Sequence, residues 1–188
     1  MMRSPAAASR TWHDWVGLAA RLVLGGVIFV AGALKVFDLG ASVNAVRGYQ
    51  LLPYDLTAPV GYALPFFEVL LGAALIAGLL TRWSGLLGAL LMLAFTIAIA
   101  SAWARGISID CGCFGGGGEI EREKAIAAYP WEIARDIGLA AAGLWLFFRP
   151  RTPFSLDGFL FPPLNETGAG GVQDVEDPQD APTASPTI

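Results

Sequence analysis

The sequence is poor in charged residues, cysteine and histidine. Only 15% of its 188 residues are charged, and it has two cysteines and a single histidine, His13. A closed zinc site takes four ligands, so we predict no metal site. Its 12 lysines and arginines are scattered, whereas nucleic-acid-binding proteins concentrate basic residues on one face, so no nucleic-acid partner is expected. So little charge also argues against a water-soluble domain.

Apolar residues make up most of the chain, with 55% hydrophobic content and a mean hydropathy of +0.56. A helix needs about 20 residues to cross a hydrocarbon core about 30 Å thick. Four apolar stretches reach about that length: 15–37, 59–80, 85–104 and 131–148. We therefore predict an all-α fold, an integral membrane four-helix bundle. A cleaved signal peptide is the alternative for the first stretch, but Arg21 interrupts its apolar start.

The stretches divide the chain into three parts. Residues 1–14 are predicted to be a flexible N-terminus, and 15–149 the four-span membrane domain. Residues 150–188 are predicted to be a surface segment followed by a disordered acidic tail, because six acidic residues and no lysine or arginine follow Arg151. Residues 41–52 are predicted to form an interfacial helix in the first connection.

Two further boundaries are predicted from local composition. Residues 81–84 are polar and are predicted to be a tight turn between the second and third spans. Residues 119–130 are charged and are predicted to form a solvated or interfacial helical face. Pro130 and Trp131 then predict the start of the fourth span, since proline favours the first helical turn and tryptophan the membrane interface.

Ionisable residues inside a span are costly unless they are paired, neutral or turned away from lipid. Arg21 either extends to the near interface or pairs within the bundle. Glu68 lies near mid-membrane, where it serves either a function or, as a protonated carboxyl group, a hydrogen bond to a neighbouring helix. Arg135 and Asp136 are adjacent, so one can face the bundle while the other turns to the headgroups.

The segment Cys111-Gly112-Cys113 contains both cysteines of the chain. A disulfide between them requires a tight bend, because bonded cysteines have Cα atoms roughly 4.4 to 6.8 Å apart. Gly112 permits this bend, since glycine adopts positive φ at little cost. A bond across so small a ring would be strained and easily exchanged, so we predict a redox-active pair. Two ordinary thiols on a loop are the alternative.

Four spans place both termini on one side of the membrane. The connection between the third and fourth spans, which contains Cys111 and Cys113 and is called the cysteine loop below, then lies on the other side. Lysine and arginine outside the spans number five on each side, so the positive-inside rule is undecided by count. Arg82, Arg149 and Arg151 lie directly at span ends, which favours cytoplasmic termini. An oxidising, extracytoplasmic location for the loop agrees with a working disulfide.

Several short segments of the chain resemble the MauE/DoxX-type family of small four-helix bacterial membrane proteins, and the MauE branch in particular. The residues that carry the resemblance are 20–25, 31–35, Phe67-Glu68 followed by Gly72, 110–115, and Trp131 with Arg135-Asp136. The resemblance covers roughly 15–149 and implies a redox-associated protein of the bacterial cytoplasmic membrane. It further implies a link to maturation of methylamine dehydrogenase, whose small subunit is rich in disulfides, or, through DoxX, to thiol and oxidative-stress handling.

The leading functional hypothesis is thiol–disulfide exchange between Cys111, Cys113 and an extracytoplasmic thioredoxin-like protein. Lys35 and Arg135 could lower the pKa of a thiol, or they could anchor to lipid headgroups. Glu68 could relay a proton or shape a site for a quinone-like electron acceptor. Rival hypotheses are a non-enzymatic scaffold for a periplasmic maturation factor and a small-solute carrier centred on Glu68. Nothing in the sequence predicts an oligomeric state.

Overall fold

The computed structural model describes residues 12–112, 118–150 and Leu156. Over these residues the chain forms five helices and one pair of very short strands. The helices are α1 (Trp12–Val36), α2 (Leu39–Gly48), α3 (Tyr54–Ala77), α4 (Thr81–Ala104) and α5 (Arg122–Phe148). Between α4 and α5, β1 (Ile109–Asp110) pairs antiparallel with β2 (Gly118–Glu119). The predicted acidic tail lies outside the described residues.

Three helices, α1, α3 and α4, are long and apolar enough to cross a membrane. Their outward faces carry large apolar side chains such as Leu70, which is 71% exposed, and Ile97, which is 66% exposed. Helices satisfy their own backbone hydrogen bonds, so such faces suit contact with lipid. These findings confirm a helical membrane protein with three candidate spans.

The predicted fourth span lies within α5. Shortly after Trp131 this helix carries Glu132, Arg135 and Asp136, and it is not among the three candidate spans. Charged side chains are expensive at the centre of a bilayer. Whether α5 crosses the membrane therefore stays a prediction, although α5 packs extensively against α4 and also contacts α1.

Two helix boundaries differ from those predicted. Residues 81–84 are helical and form the first turn of α4, because Gly78 ends α3 in a left-handed conformation, so the connection is complete before Thr81. Likewise, Pro130 does not begin a helix but lies inside α5. The turns before this proline are held by buried Ala125 and Tyr129, which pack with Ile99 of α4 and so extend the helix toward its N-terminus.

The long helices pack most extensively as two pairs, α1 with α3 and α4 with α5. Within each pair, glycines bring the backbones close together. A Cβ atom added to Gly72 of α3 would lie 2.6 Å from the backbone nitrogen of Phe29 in α1, and one added to Gly143 of α5 would lie 2.6 Å from the carbonyl oxygen of Gly85 in α4. Close contact at small residues is a major source of attraction between helices in lipid.

The two pairs meet around a shared apolar core. Its buried members come from all four long helices: Leu24, Ile28, Leu71, Leu75, Met92, Leu139, Ala140 and Leu146. A second, smaller cluster lies below the cysteine loop, and Cys111 packs against it together with Tyr49. Cys111 is thus packed against the bundle.

Candidate functional site

The segment leading to the cysteines is fixed to α5 by a tyrosine. The Tyr129 hydroxyl accepts a hydrogen bond from the backbone N–H of Ile109 at 2.9 Å and donates to the carbonyl oxygen of Ile107 at 2.8 Å. Tyr129 is only 2% exposed. A buried hydroxyl that is fully bonded in this way holds β1 in one position against the helix.

Cys111 directly follows β1, and its backbone is held from the opposite side by α2. The Tyr49 hydroxyl, just after α2, donates to the carbonyl oxygen of Cys111 at 2.9 Å. The N–H of Gly112 donates to Asp110 Oδ1 at 3.0 Å. Gly112 has a φ of +67°, which confirms that the chain uses the backbone freedom of glycine at this turn.

The thiol of Cys111 lies among carboxylates. Its Sγ and one carboxylate oxygen each from Asp110 and Glu132 lie within 4.8 Å of one another. One oxygen of Glu132, Oε2, is buried and has no hydrogen-bond partner among the described residues. A carboxylate in contact with a thiol can take up its proton when the sulfur becomes a nucleophile.

The same three side chains are also a possible set of metal ligands. A thiolate and two carboxylates at this separation present a negatively charged donor group to a divalent cation. Three donors are one fewer than a closed, four-coordinate site requires, as counted over the described part of the chain. Cys113 lies outside the described residues.

Lys35 and Glu68 form an ion pair inside the bundle. Lys35 Nζ donates to Glu68 Oε1 at 2.8 Å and to Oε2 at 3.0 Å, and the two side chains are 8% and 1% exposed. Lys35 lies in the last turn of α1 and Glu68 near the middle of α3, so the pair joins these helices. The opposite charge and the two hydrogen bonds offset part of the desolvation cost of burying this carboxylate.

Arg135 and Asp136 form a second pair in α5. Arg135 donates from Nε and from a terminal nitrogen to Asp136 Oδ1, both at 2.9 Å. Asp136 is buried and faces the bundle, whereas the Arg135 side chain is 19% exposed. Both residues line a cavity of about 10 Å³ that Glu68 also lines, so the two ion pairs adjoin the same small space.

Arg21 and Lys35 do not lie at the membrane interface, which was one of the two placements that the sequence allowed for each of them. Arg21 is 2% exposed and lies inside the helix assembly. Lys35 is 7% exposed and is engaged with Glu68. Their positions agree with pairing inside the protein, the other alternative for Arg21, and not with headgroup contact.

A larger apolar pocket brings together two of the predicted site residues. It has a volume of about 290 Å³, lies between α2, α3, α4 and the cysteine loop, and has Lys35 and Cys111 in its wall. Glu68, Arg135 and Arg21 do not line this pocket. The structure therefore separates the predicted residues into two groups, one at the pocket and one in the bundle, which the Lys35–Glu68 pair connects.

Three residues of the site escape sequence reasoning: Tyr49, Tyr129 and Glu132. The tyrosines resemble ordinary interface aromatics. Glu132 has a weak signal, because it precedes Arg135 by about one helical turn and so shares a face with it. Its contact with Cys111 depends on how α5 passes beneath the loop, which the sequence does not reveal.

Comparison with known proteins gives one consistent result. Residues 13–149 match the family described as Methylamine utilisation protein MauE. The chain is 33% identical over 133 residues to the methylamine utilization protein MauE of Methylophilus methylotrophus, covering 70% of this chain and 67% of that protein. It is 33% identical over 104 residues to the MauE protein of Methylorubrum extorquens, covering 55% of this chain and 53% of that protein. No solved structure matches significantly.

Proposed function

We propose, from the premise that the chain belongs to the MauE family, that it is a membrane thiol–disulfide exchange protein. The observation that carries the proposal is the position of the Cys111 thiol within 4.8 Å of a Glu132 carboxylate oxygen. Exchange requires a sulfur that can lose and regain a proton. A half-buried thiol beside a carboxylate, on a turn fixed by two tyrosines, meets that requirement.

The exchange begins when Cys111 passes its proton to Glu132. The thiolate sulfur then attacks one sulfur of a partner disulfide; a mixed disulfide forms, and the other partner sulfur leaves as a thiolate and takes up a proton. Cys113 next attacks Cys111 in the mixed disulfide, so that the Cys111–Cys113 bond forms and the partner leaves with two thiols. In reverse, the same steps oxidise a partner dithiol.

The ion pairs support a structural role for the predicted helper residues. Lys35 already bonds both oxygens of Glu68, and Arg135 bonds Asp136. The charges of Lys35 and Arg135 are therefore largely compensated by these carboxylates. Within this proposal they hold the helices that position the loop, and Arg135 also attracts the negative charge of Glu132. The buried pairing of Glu68 gives little support to a solute carrier centred on that residue.

The proposal includes a membrane topology and a cellular role, which are drawn from the family and from the position of the cysteines. We place both termini in the cytoplasm and the cysteine loop outside the cytoplasmic membrane, facing a thioredoxin-like partner. The names of the two relatives refer to methylamine utilisation. For this chain we propose a part in the maturation of disulfide-containing proteins, such as methylamine dehydrogenase.

The test uses single cysteine variants in cells. Cys113→Ser leaves Cys111 without a resolving thiol, so it should accumulate a mixed disulfide with its partner, visible on a non-reducing gel and lost on reduction. Cys111→Ser should trap much less, because Glu132 then has no thiol to deprotonate. A membrane-impermeant maleimide should label the loop from outside the cell.

A scaffold predicts a different pattern. Cells with Cys111→Ser, Cys113→Ser or both changes would then mature the partner normally, while disruption of the bundle would stop maturation. That result, or labelling of the cysteines from the cytoplasmic side alone, contradicts thiol–disulfide exchange outside the membrane.

A further inference from the structure

The small cavity inside the bundle has both apolar and charged walls. Helices α1 and α4 contribute apolar side chains, among them Ala31 and Met92, whereas α3 contributes Glu68 and α5 contributes Arg135 and Asp136. Glu68 is 0% exposed and Asp136 is 1% exposed, so bulk water does not solvate either carboxylate. Their remaining hydrogen-bonding capacity must therefore be met inside the protein.

Asp136 has one oxygen that no residue satisfies. Its Oδ1 accepts both hydrogen bonds from Arg135, whereas Oδ2 is buried and has no hydrogen-bond partner in the described part of the chain. A buried acceptor that is left unpaired carries the full cost of its desolvation. Because Asp136 lines the cavity, a donor placed there would remove this cost.

Glu68 presents a second acceptor to the same space. Lys35 donates one hydrogen bond to each of its two oxygens, at 2.8 and 3.0 Å. A carboxylate oxygen can accept two hydrogen bonds, so Glu68 retains acceptor capacity beside the cavity. Two carboxylates at one small space fit a ligand that has two hydrogen-bond donors.

The size and the charge of the cavity select the ligand. Its volume of about 10 Å³ is close to the space that a single water molecule requires. The positive charges of Lys35 and Arg135 balance those of the two carboxylates, to which both are bonded. The site therefore has no excess negative charge that would favour a metal cation over a neutral molecule.

We propose that this cavity binds one water molecule, which donates one hydrogen bond to Asp136 Oδ2 and the other to the Glu68 carboxylate. The water oxygen then faces the Arg135 side chain, which also lines the cavity. Glu68 belongs to the α1–α3 pair and Asp136 to the α4–α5 pair. The bound water thus joins the two helix pairs at their polar centre, and this role does not depend on the proposed exchange reaction.

The direct test is a crystal structure of the full chain, grown in a lipidic mesophase, at a resolution that shows ordered water. We expect one peak in the cavity, about 2.5 to 3.0 Å from Asp136 Oδ2 and from one oxygen of Glu68. If ordered waters are visible elsewhere in the protein but the cavity has no density, the water site is wrong.

A pair of variants tests the same site in bicelles. Ala31→Thr and Ala31→Val fill the cavity with side chains of one shape, but only threonine has a hydroxyl that can donate to Asp136 in place of the water. The thermal midpoint of Ala31→Thr should therefore be higher by at least about 2 °C. At Ala19, on the exposed face of the same helix, threonine should give no such advantage over valine. Equal midpoints at Ala31, or a higher one for valine, contradict the proposal. If neither variant folds, Ala31→Ser is compared with Ala31→Cys.

A sodium ion is the rival occupant, since it is similar in size to a water molecule. The thermal midpoint of the wild type is compared in sodium chloride and in choline chloride at equal ionic strength. A bound water predicts equal midpoints. If sodium raises the midpoint of the wild type but not that of Asp136→Asn, the cavity binds a cation and the water site is overturned.

Discussion

The ion pair between Lys35 and Glu68 allows a quantitative test of the bundle. At 2.8 Å between Nζ and Oε1, two unit charges attract by roughly 6 kcal/mol at an effective dielectric constant near 20, before desolvation is subtracted. Removal of one member strands the other, so Lys35→Met and Glu68→Gln should each lower the free energy of unfolding by roughly 3 to 5 kcal/mol. Lys35→Met combined with Glu68→Gln removes both charges, so the double variant should cost much less than the sum of the two single losses.

The measurement is a double-mutant cycle in bicelles, with unfolding followed by circular dichroism. The chain supplies a matched control in Lys124 and Glu121, which are 2.9 Å apart but 72% and 74% exposed. Their coupling energy should be about 0.5 kcal/mol or less, because water screens exposed pairs. If the buried pair couples no more strongly than the exposed pair, then Lys35 and Glu68 do not join α1 to α3, and the account of the polar bundle is refuted.

Three other variants test separate parts of the structure. Gly72→Leu should reduce the unfolding free energy by about 1 to 3 kcal/mol or more and lower the thermal midpoint, whereas Gly26→Leu, with open space at its Cβ position, should leave that midpoint nearly unchanged. Glu132→Gln should slow disulfide exchange at neutral pH by about a hundredfold, measured by stopped-flow with a small disulfide, and an unchanged rate would exclude Glu132 as the proton acceptor. Tyr49→Phe removes one hydrogen bond worth about 1 kcal/mol, so the amides of the loop should exchange hydrogen faster by mass spectrometry while the thermal midpoint moves little.

The sequence predicts the helices well because apolar length alone identifies a candidate span. It is weaker at their ends, where tertiary contacts decide. Pro130 is a good residue with which to begin a helix, yet α5 continues through it to Arg122, since Tyr129 and Ala125 have a buried surface to pack against. At Pro130 the packing of the preceding turn therefore outweighs the preference of proline for the start of a helix.

The site is harder to predict than the helices because its contacts join distant parts of the chain. The residues Cys111, Lys35 and Glu68 stand out by their chemistry, as a rare thiol and as charges near or inside apolar stretches. The partnership of Lys35 with Glu68 depends on the relative heights of α1 and α3, which sequence spacing does not set. Glu132 is 21 positions after Cys111, and only the path of α5 under the loop brings them together.

The residues around Cys111 are hydrogen-bonded to both helix pairs, and the arrangement of the pairs explains why. Glycine contacts fix α1 to α3 and α4 to α5, and α2 packs against α3. Tyr49, which follows α2, therefore connects Cys111 to the first pair, while Tyr129 and Glu132 connect the same region to the second. A shift of one pair against the other would separate Cys111 either from Glu132 or from the wall of the pocket. Under the proposed thiol–disulfide exchange, a variant that loosens the core of the bundle should therefore slow exchange without a change in the loop itself.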